Sequence, residues 1–396
     1  MRRPGATRIS SAPGAIVPRV RRVVLVDAYP HVVGGATLML LALAERAAGA
    51  GWSPMLHLFG PGDAVADAAS DHGIAVRRHL VRPGLARYGR ASQASLGARV
   101  AATAAAGASW LDVSRLRGRV DVAHVNDHRG MVAAGPGLRV AGVPICWHVH
   151  STPAGRHLDR MCARLAARTI VPAQVVADRM SLPAGRRVDI IANALPSERR
   201  AMCLETPWRG RHLDETAHFV AVGRLHPDKG HDVLIDAARR CAQRGWPVEV
   251  SIVGNAQVGF AAWQEHLRSL AAEVPGVRLL GANPRPADVV AGATAFVLPS
   301  REATEVQPLA LLEAMTQGAP VIASRVGAVG DVVSDGIDGI LVPEGDAGSL
   351  ATAMLAMAVD GGRARLLGAR ARVRSAELDI DVMAERTMRI WAEIAR

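Results

Sequence analysis

Lysine is all but missing from this chain: Lys229 is the single one among 47 basic residues, and the other 46 are arginine. One compact ammonium in a glycine-flanked loop suggests a position where a point charge suits better than a planar guanidinium. Aromatic residues are scarce too, at 3%. The cores must therefore rest on alanine, valine and leucine, and stacking platforms for single-stranded nucleic acid are hard to assemble. No helix-turn-helix, RRM or zinc-finger pattern is apparent, so nucleic acid is not an expected partner. The four cysteines, Cys146, Cys162, Cys203 and Cys241, form no C-x-x-C pair and no metal-ligand spacing. Reduced thiols in a cytoplasmic setting are expected. No apolar run reaches the ~20 residues of a membrane span. The first twenty residues carry Arg2, Arg3, Arg8 and Arg19 without a continuous apolar core. Residues 1–19 read as a loose arm and not as a secretory signal.

What is present is apolar and basic. With 396 residues, 49% of them hydrophobic, the chain can hold two domains of ordinary size. Its net charge of +11 is uneven: residues 1–200 hold 27 Arg against 12 acids, and residues 201–396 hold 20 Lys/Arg against 24 acids. Either those arginines are simply solvated, or the first half meets something anionic: a membrane surface, a lipid phosphate or an acidic acceptor. In the second case the protein would sit peripherally at the inner face of the membrane. The Arg- and Ala-rich stretch 82–119 could be an amphipathic helix for such contact, or a helix capping a sheet.

Strand-like runs alternate with helical ones, which predicts an α/β fold with parallel sheets. Residues 20–27 read as a buried strand, followed by Tyr29-Pro30-His31, then Gly34-Gly35 and a helix over 36–48. Strand, glycine loop and helix N-terminus together make a phosphate-binding layout, where glycine lets the backbone come close. Strand 120–125 ends at Asn126-Asp127. In strand 143–150, alternation puts Cys146, His148 and His150 on one face, with His150 at the end before a Ser-Thr-Pro loop. Residues 196–216 are polar and charged with two prolines, and read as an interdomain linker. Strand 217–222 then leads into Gly223-Arg224-Leu225-His226-Pro227-Asp228-Lys229-Gly230, and strand 248–253 ends at Gly254-Asn255. Asp346 stands at a helix start, where an N-cap is expected rather than a catalytic acid, and the D-x-D of Asp379 and Asp381 opens a terminal helix, where capping explains it better than metal binding.

Residues 298–324 carry the densest chemistry. A strand ends at Pro299-Ser300, a polar loop carries Arg301, Glu302 and Glu305, and a helix is expected from Pro308 to a left-handed cap at Gly318. Glu305 and Glu313 then flank the first helical amides, those of Leu309 and Ala310, which form an anion cradle. Carboxylates at both ends and a phosphate site between them match the layout of a nucleotide-sugar.

Glu305-Val306-Gln307-Pro308-Leu309-Ala310-Leu311-Leu312-Glu313 resembles the E-x7-E motif of retaining GT-B glycosyltransferases of family 4, and Gly223–Gly230 resembles their G-R-L-x-x-x-K-G segment. Pro308 stands where many members have glycine, and the loop before Glu305 is longer than is common. The resemblance implies a GT-B fold: two Rossmann-like domains, residues 20–200 and 210–379, facing across a cleft, with 380–396 crossing back to the first. It implies Arg224 and Lys229 on the donor diphosphate, Glu313 on the ribose, and Glu305 and His150 at the transferred sugar. Gly34, Gly35, Gly254 and Leu309 would line the donor site. The base would lie near residues 281–286. Asn193 resembles the family's asparagine near the end of the first domain. The implied donor is a UDP-sugar or GDP-mannose, the acceptor a glycan, lipid or small molecule, and the configuration retained; no metal and no cofactor is expected. A nucleotide-sugar epimerase, a phosphorylase or an inactive nucleotide-sugar-binding protein on the same fold are the alternatives. An NAD-linked enzyme is disfavoured because no G-x-G-x-x-G follows the first strand.

Overall fold

The computed structural model describes residues 19–28, 30, 33–60, 62–79, 107–150, 155–211, 215–256, 259–283, 285–301 and 305–395. Residues 1–18 of the N-terminal arm, Tyr29, His31, the Ser-Thr-Pro loop after His150, Glu302, and residues 82–106 of the basic stretch lie outside the described residues.

Thirteen strands form two sheets among the described residues. The first holds β1 (Arg21–Asp27), β2 (Trp52–Phe59), β3 (Ala75–His79), β4 (Val122–Asn126), β5 (Ile145–His148), β6 (Arg168–Val171) and β7 (Val188–Ile190). The second holds β8 (His218–Val222), β9 (Glu249–Val253), β10 (Val277–Gly281), β11 (Ala295–Leu298), β12 (Val321–Ser324) and β13 (Ile340–Val342). Every pairing is parallel. The orders are β3-β2-β1-β4-β5-β6-β7 and β10-β9-β8-β11-β12-β13. Both are the doubly wound order, in which the chain reverses its direction of travel after the third strand. The central strands read as unbroken apolar runs because helices cover both faces. Val23 to Val26 are all at most 2% exposed, with alternate residues entering the two cores on either side of the first sheet. The second sheet likewise separates two cores.

Two crossings join the domains, and they run side by side. The outgoing strand at Leu195 and the returning one at Asp379 form an isolated parallel bridge. Beyond it, helix Ile380–Ile394 packs into the first domain's core. Its Trp391 is fully buried, meets Trp52 edge-on at 5.4 Å, and donates its indole N–H to His124 Nδ1 at 3.2 Å. Truncating a buried tryptophan typically costs about 3–5 kcal/mol, so this terminal helix belongs to the first domain's fold. The stretch read as a linker is more ordered than its composition suggests. Helix Ser197–Glu205 forms inside it, and Trp208 then donates its backbone N–H to Gln317 of the second domain at 2.9 Å.

Candidate functional site

In a doubly wound sheet, ligands collect at the strand C-termini where the order reverses. In the second sheet that point lies between β8 and β11. Gly254, at the end of β9, sits at φ 148°, and a Cβ there would lie 1.8 Å from the carbonyl oxygen of Gly223. Only glycine lets these two loops touch. Gly230 does the same on the other side: at φ 61° its Cβ position falls 2.0 Å from the carbonyl oxygen of Pro299. The loop after β8 is thereby pressed onto the loop after β11. Arg301 reinforces the contact, donating its amide to Asp228 O at 2.7 Å and its guanidinium to Asp232 at 2.5 Å.

This packing delivers Lys229 to Glu305. Lys229 Nζ donates to Glu305 Oε1, and Ser300 Oγ donates to the same oxygen at 2.8 Å. Glu305 is 4% exposed, and its carbonyl accepts the Ala328 amide at 3.0 Å. A position that reads as a polar loop is in fact a buried, ion-paired acid. Arg224 is exposed on the β8 loop and is also engaged.

The helix that follows spans Leu309–Gln317, and Gly318 closes it at φ 80° in the left-handed conformation, as its sequence predicts. Its start differs from expectation by one position. Pro308 is the N-cap, with an extended ψ of 124°, and not the first helical residue. Proline's ring fixes φ but leaves ψ open. No acceptor among the described residues takes the amides of Leu309 and Ala310. Glu313, just over one turn in, accepts a hydrogen bond from Arg199 Nη1 at 2.8 Å, and its side chain is 13% exposed. Burial raises the Glu313 pKa, and Arg199 opposes that rise. Arg199 was not foreseen. It lies on helix Ser197–Glu205, whose Pro196-Ser197-Glu198 start carries a legible helix-entry signal that the charged composition masks.

The first domain supplies the opposite wall. Gly34 caps helix Gly35–Gly49 in an ordinary extended conformation. A Cβ at Gly35 would lie 3.5 Å from Leu309 Cδ1. Two helix N-termini from different domains therefore face each other. Asn126 ties one of them down, donating to Ala36 O at 3.3 Å. Asp127 adopts φ 52°, a left-handed conformation that aspartate tolerates better than most residues, and its carboxylate accepts the His150 amide at 2.8 Å. His150 Nδ1 lies 3.2 Å from Asn193 Oδ1, and the Asn193 amide donates to Gln307 Oε1 at 2.5 Å. A hydrogen-bonded line thus runs from His150 across to the loop that begins the Glu313 helix. Burial holds His150 below the usual imidazole range, against the opposing effects of Asp127 and Asn193. That direction favours the neutral ring, in which an Nδ1–H donated to Asn193 leaves Nε2 as an acceptor. The His148 ring lies against it, tilted by 35° with centroids 3.8 Å apart, and is fully buried.

Other features resolve as structure. Asp346 accepts the amides of Gly348 and Ser349, each at 2.9 Å, and Asp379 accepts that of Asp381 at 2.7 Å; both are helix caps. All four cysteines are free and buried. Among the described residues no cluster of three or more His, Cys, Asp or Glu could hold a metal ion. An open depression of about 580 Å³ lies on the outer edge of the second sheet, by β13, and none of the cleft residues lines it.

The family profile described as Glycosyltransferase Family 4 matches residues 33–199, and the one described as Glycosyl transferases group 1 matches residues 216–360. The phosphatidyl-myo-inositol mannosyltransferase of Mycobacterium leprae is 30% identical over 299 residues, which cover 70% of this chain and 75% of that protein. The D-inositol 3-phosphate glycosyltransferase of Kribbella flavida is 34% identical over 37% of this chain and 36% of its own length. The amylovoran biosynthesis glycosyltransferase AmsK of Erwinia amylovora is 32% identical over 36% of each chain. The matched stretch thus spans about a third of the length of these last two relatives. Among solved structures, Anabaena HepE in complex with UDP and glucose is similar, with a TM-score of 0.74 at 19% identity over 93% of this chain and 99% of that one. Sucrose-phosphate synthase from Thermosynechococcus elongatus has a TM-score of 0.70 at 19% identity, covering 94% of this chain and 98% of its own.

Proposed function

The chain belongs to the group 1, family 4-like glycosyltransferases and has their GT-B fold, and from that premise we propose that it transfers a sugar from a nucleotide-sugar donor, a UDP-sugar or GDP-mannose, to a glycan, lipid-linked or small-molecule acceptor with retention at the anomeric carbon. The observation that carries this reading is the opposition of two helix N-termini, at Gly35 and Leu309, between the paired acids Glu305 and Glu313. The diphosphate lies against the amides of Leu309 and Ala310, with Arg224 and Lys229 neutralising the charge that builds on the leaving nucleotide. Glu313 accepts hydrogen bonds from the ribose hydroxyls. Glu305 takes hydroxyls of the donor sugar, and neutral His150 accepts one from the first-domain side. With the charge met by arginine, lysine and helix dipoles, the acceptor attacks from the face that the leaving phosphate quits, and a phosphate oxygen receives its proton. A donor with UDP is supported by HepE, which was solved with UDP-glucose. A lipid acceptor is supported by the activity named for the mycobacterial relative.

A thermal-shift series with UDP-, GDP-, ADP- and dTDP-sugars tests the reading. One of them at a hundred times its Kd is expected to add about 2.7 kcal/mol of stability; a flat response to all four defeats the assignment.

Arg199 has a separable role in this scheme. It opposes the proton affinity that burial gives Glu313, so Arg199→Gln is expected to raise that affinity further. Donor KM should then rise at a higher pH than in the wild type as the solution is acidified, with kcat at saturating donor little changed. An unshifted pH profile of KM counts against Arg199 as the residue that positions and ionises Glu313.

A further inference from the structure

Helix Gly361–Ala376 has two apolar sides, and the fold uses one of them. Its inner side buries Ala364, Leu367, Gly368, Ala371 and Ser375. There it packs against the end of the Glu313 helix so closely that a Cβ on Gly368 would lie 2.2 Å from the Gly318 carbonyl oxygen. The outer side carries Leu366, Ala369 and Val373, which share one ridge at helical spacing. Leu366 is 50% exposed and Val373 71%. Arg363 and Arg370 flank that ridge on one side, and Arg365 and Arg372 flank it on the other, all four exposed. The helix has five arginines and no acid. The fifth, Arg374, pairs with Glu377, whereas no carboxylate among the described residues lies within ion-pair distance of the other four.

We propose that this outer face seats the protein in the plane of an anionic lipid surface. An apolar ridge between two rows of arginine is the arrangement of an in-plane membrane helix: the ridge enters the acyl boundary while the guanidinium groups extend to the phosphates. Nucleic acid would use the arginines but leave the ridge without a purpose. Charge complementarity favours an anionic surface, because four unpaired cations of one sign repel one another until counter-charge arrives. The contact lies on the second domain, one helix layer behind Glu313.

Flotation with vesicles of phosphatidylcholine alone, and of phosphatidylcholine mixed with phosphatidylglycerol, tests this without any turnover, so the result is independent of the proposed transfer reaction. The wild type should float with the anionic vesicles only, and high salt should release it. Arg365→Gln/Arg372→Gln should weaken binding by roughly fivefold per arginine, and Leu366→Ser/Val373→Ser should weaken it at unchanged charge. Arg268→Gln/Arg278→Gln, which removes the same charge from another exposed surface, should leave binding intact. Circular dichroism checks that each variant is folded. Absence of wild-type binding, binding untouched by the helix variants, equal loss in the Arg268/Arg278 control, or retention only on an acidic polymer would each overturn the proposal.

Discussion

Glu313→Gln is expected to cut kcat/KM by roughly 10²–10³-fold while leaving the protein as stable as the wild type, or more so, at neutral pH. The two halves of this result have one cause. Burial raises the Glu313 pKa, so the folded state holds that proton more tightly than the unfolded chain does. By linkage, the stabilising contribution is fully present below the unfolded pKa and is lost as pH rises through the folded one. At neutral pH the ionised carboxylate therefore carries a desolvation cost that Arg199 offsets only in part, and glutamine removes it. Arg199 loses its partner, but its side chain is 42% exposed and can turn to water. A melting series from neutral to acidic pH should show any advantage of the variant shrinking as the wild-type carboxylate takes up its proton. A cost in stability of this kind is what an acid kept for binding ligand hydroxyls is expected to show. A marked loss of melting temperature at neutral pH, or turnover near that of the wild type, would sink the assignment.

Lys229→Ala should behave differently: transfer is lost, and stability falls with it. A lysine that acted only on a bound diphosphate could be removed from the empty protein at little cost. Here Lys229 is paired with Glu305, and the two side chains are 19% and 5% exposed. Removing one partner of such a pair strands a buried charge, at a cost of about 3–5 kcal/mol. The double variant Lys229→Met/Glu305→Gln should recover most of that loss, since both charges leave together and the Ser300 hydroxyl still has an acceptor. It should recover no activity. Urea denaturation of the two single variants and the double gives the coupling energy directly. A Lys229→Ala protein with an unchanged midpoint, or a double variant that still transfers sugar, contradicts the double use of this pair.

The local signals in the chain proved readable where one residue type answers one backbone need. Gly318 closes its helix in the left-handed conformation, and Asp346 and Asp379 cap theirs. Strands β8, β9 and β11 lie within a few residues of where their apolar runs place them. Readings failed where composition hid a short element. Residues 197–205 look like linker because they are charged, yet their arginine faces an acid on another domain's helix. Pro308 fits either of two adjacent helix positions because its ring constrains a single dihedral.

By itself, then, the sequence determined two parallel-sheet domains, the order of their strands along the chain, and which loops carry acids, glycines and the lone lysine. These follow from periodicity and from the conformational limits of individual residues, which act within a few positions. The partners of those residues were decided by tertiary structure alone. Lys229 and Glu305 are 76 residues apart, and Arg199 and Glu313 are 114 apart. They meet because doubly wound sheets bring the ends of β8 and β11 together and because the two crossings between domains run side by side. Burial, and with it the charge state of Glu313 and His150, depends on what packs against a side chain, and no local pattern in the chain carries that information.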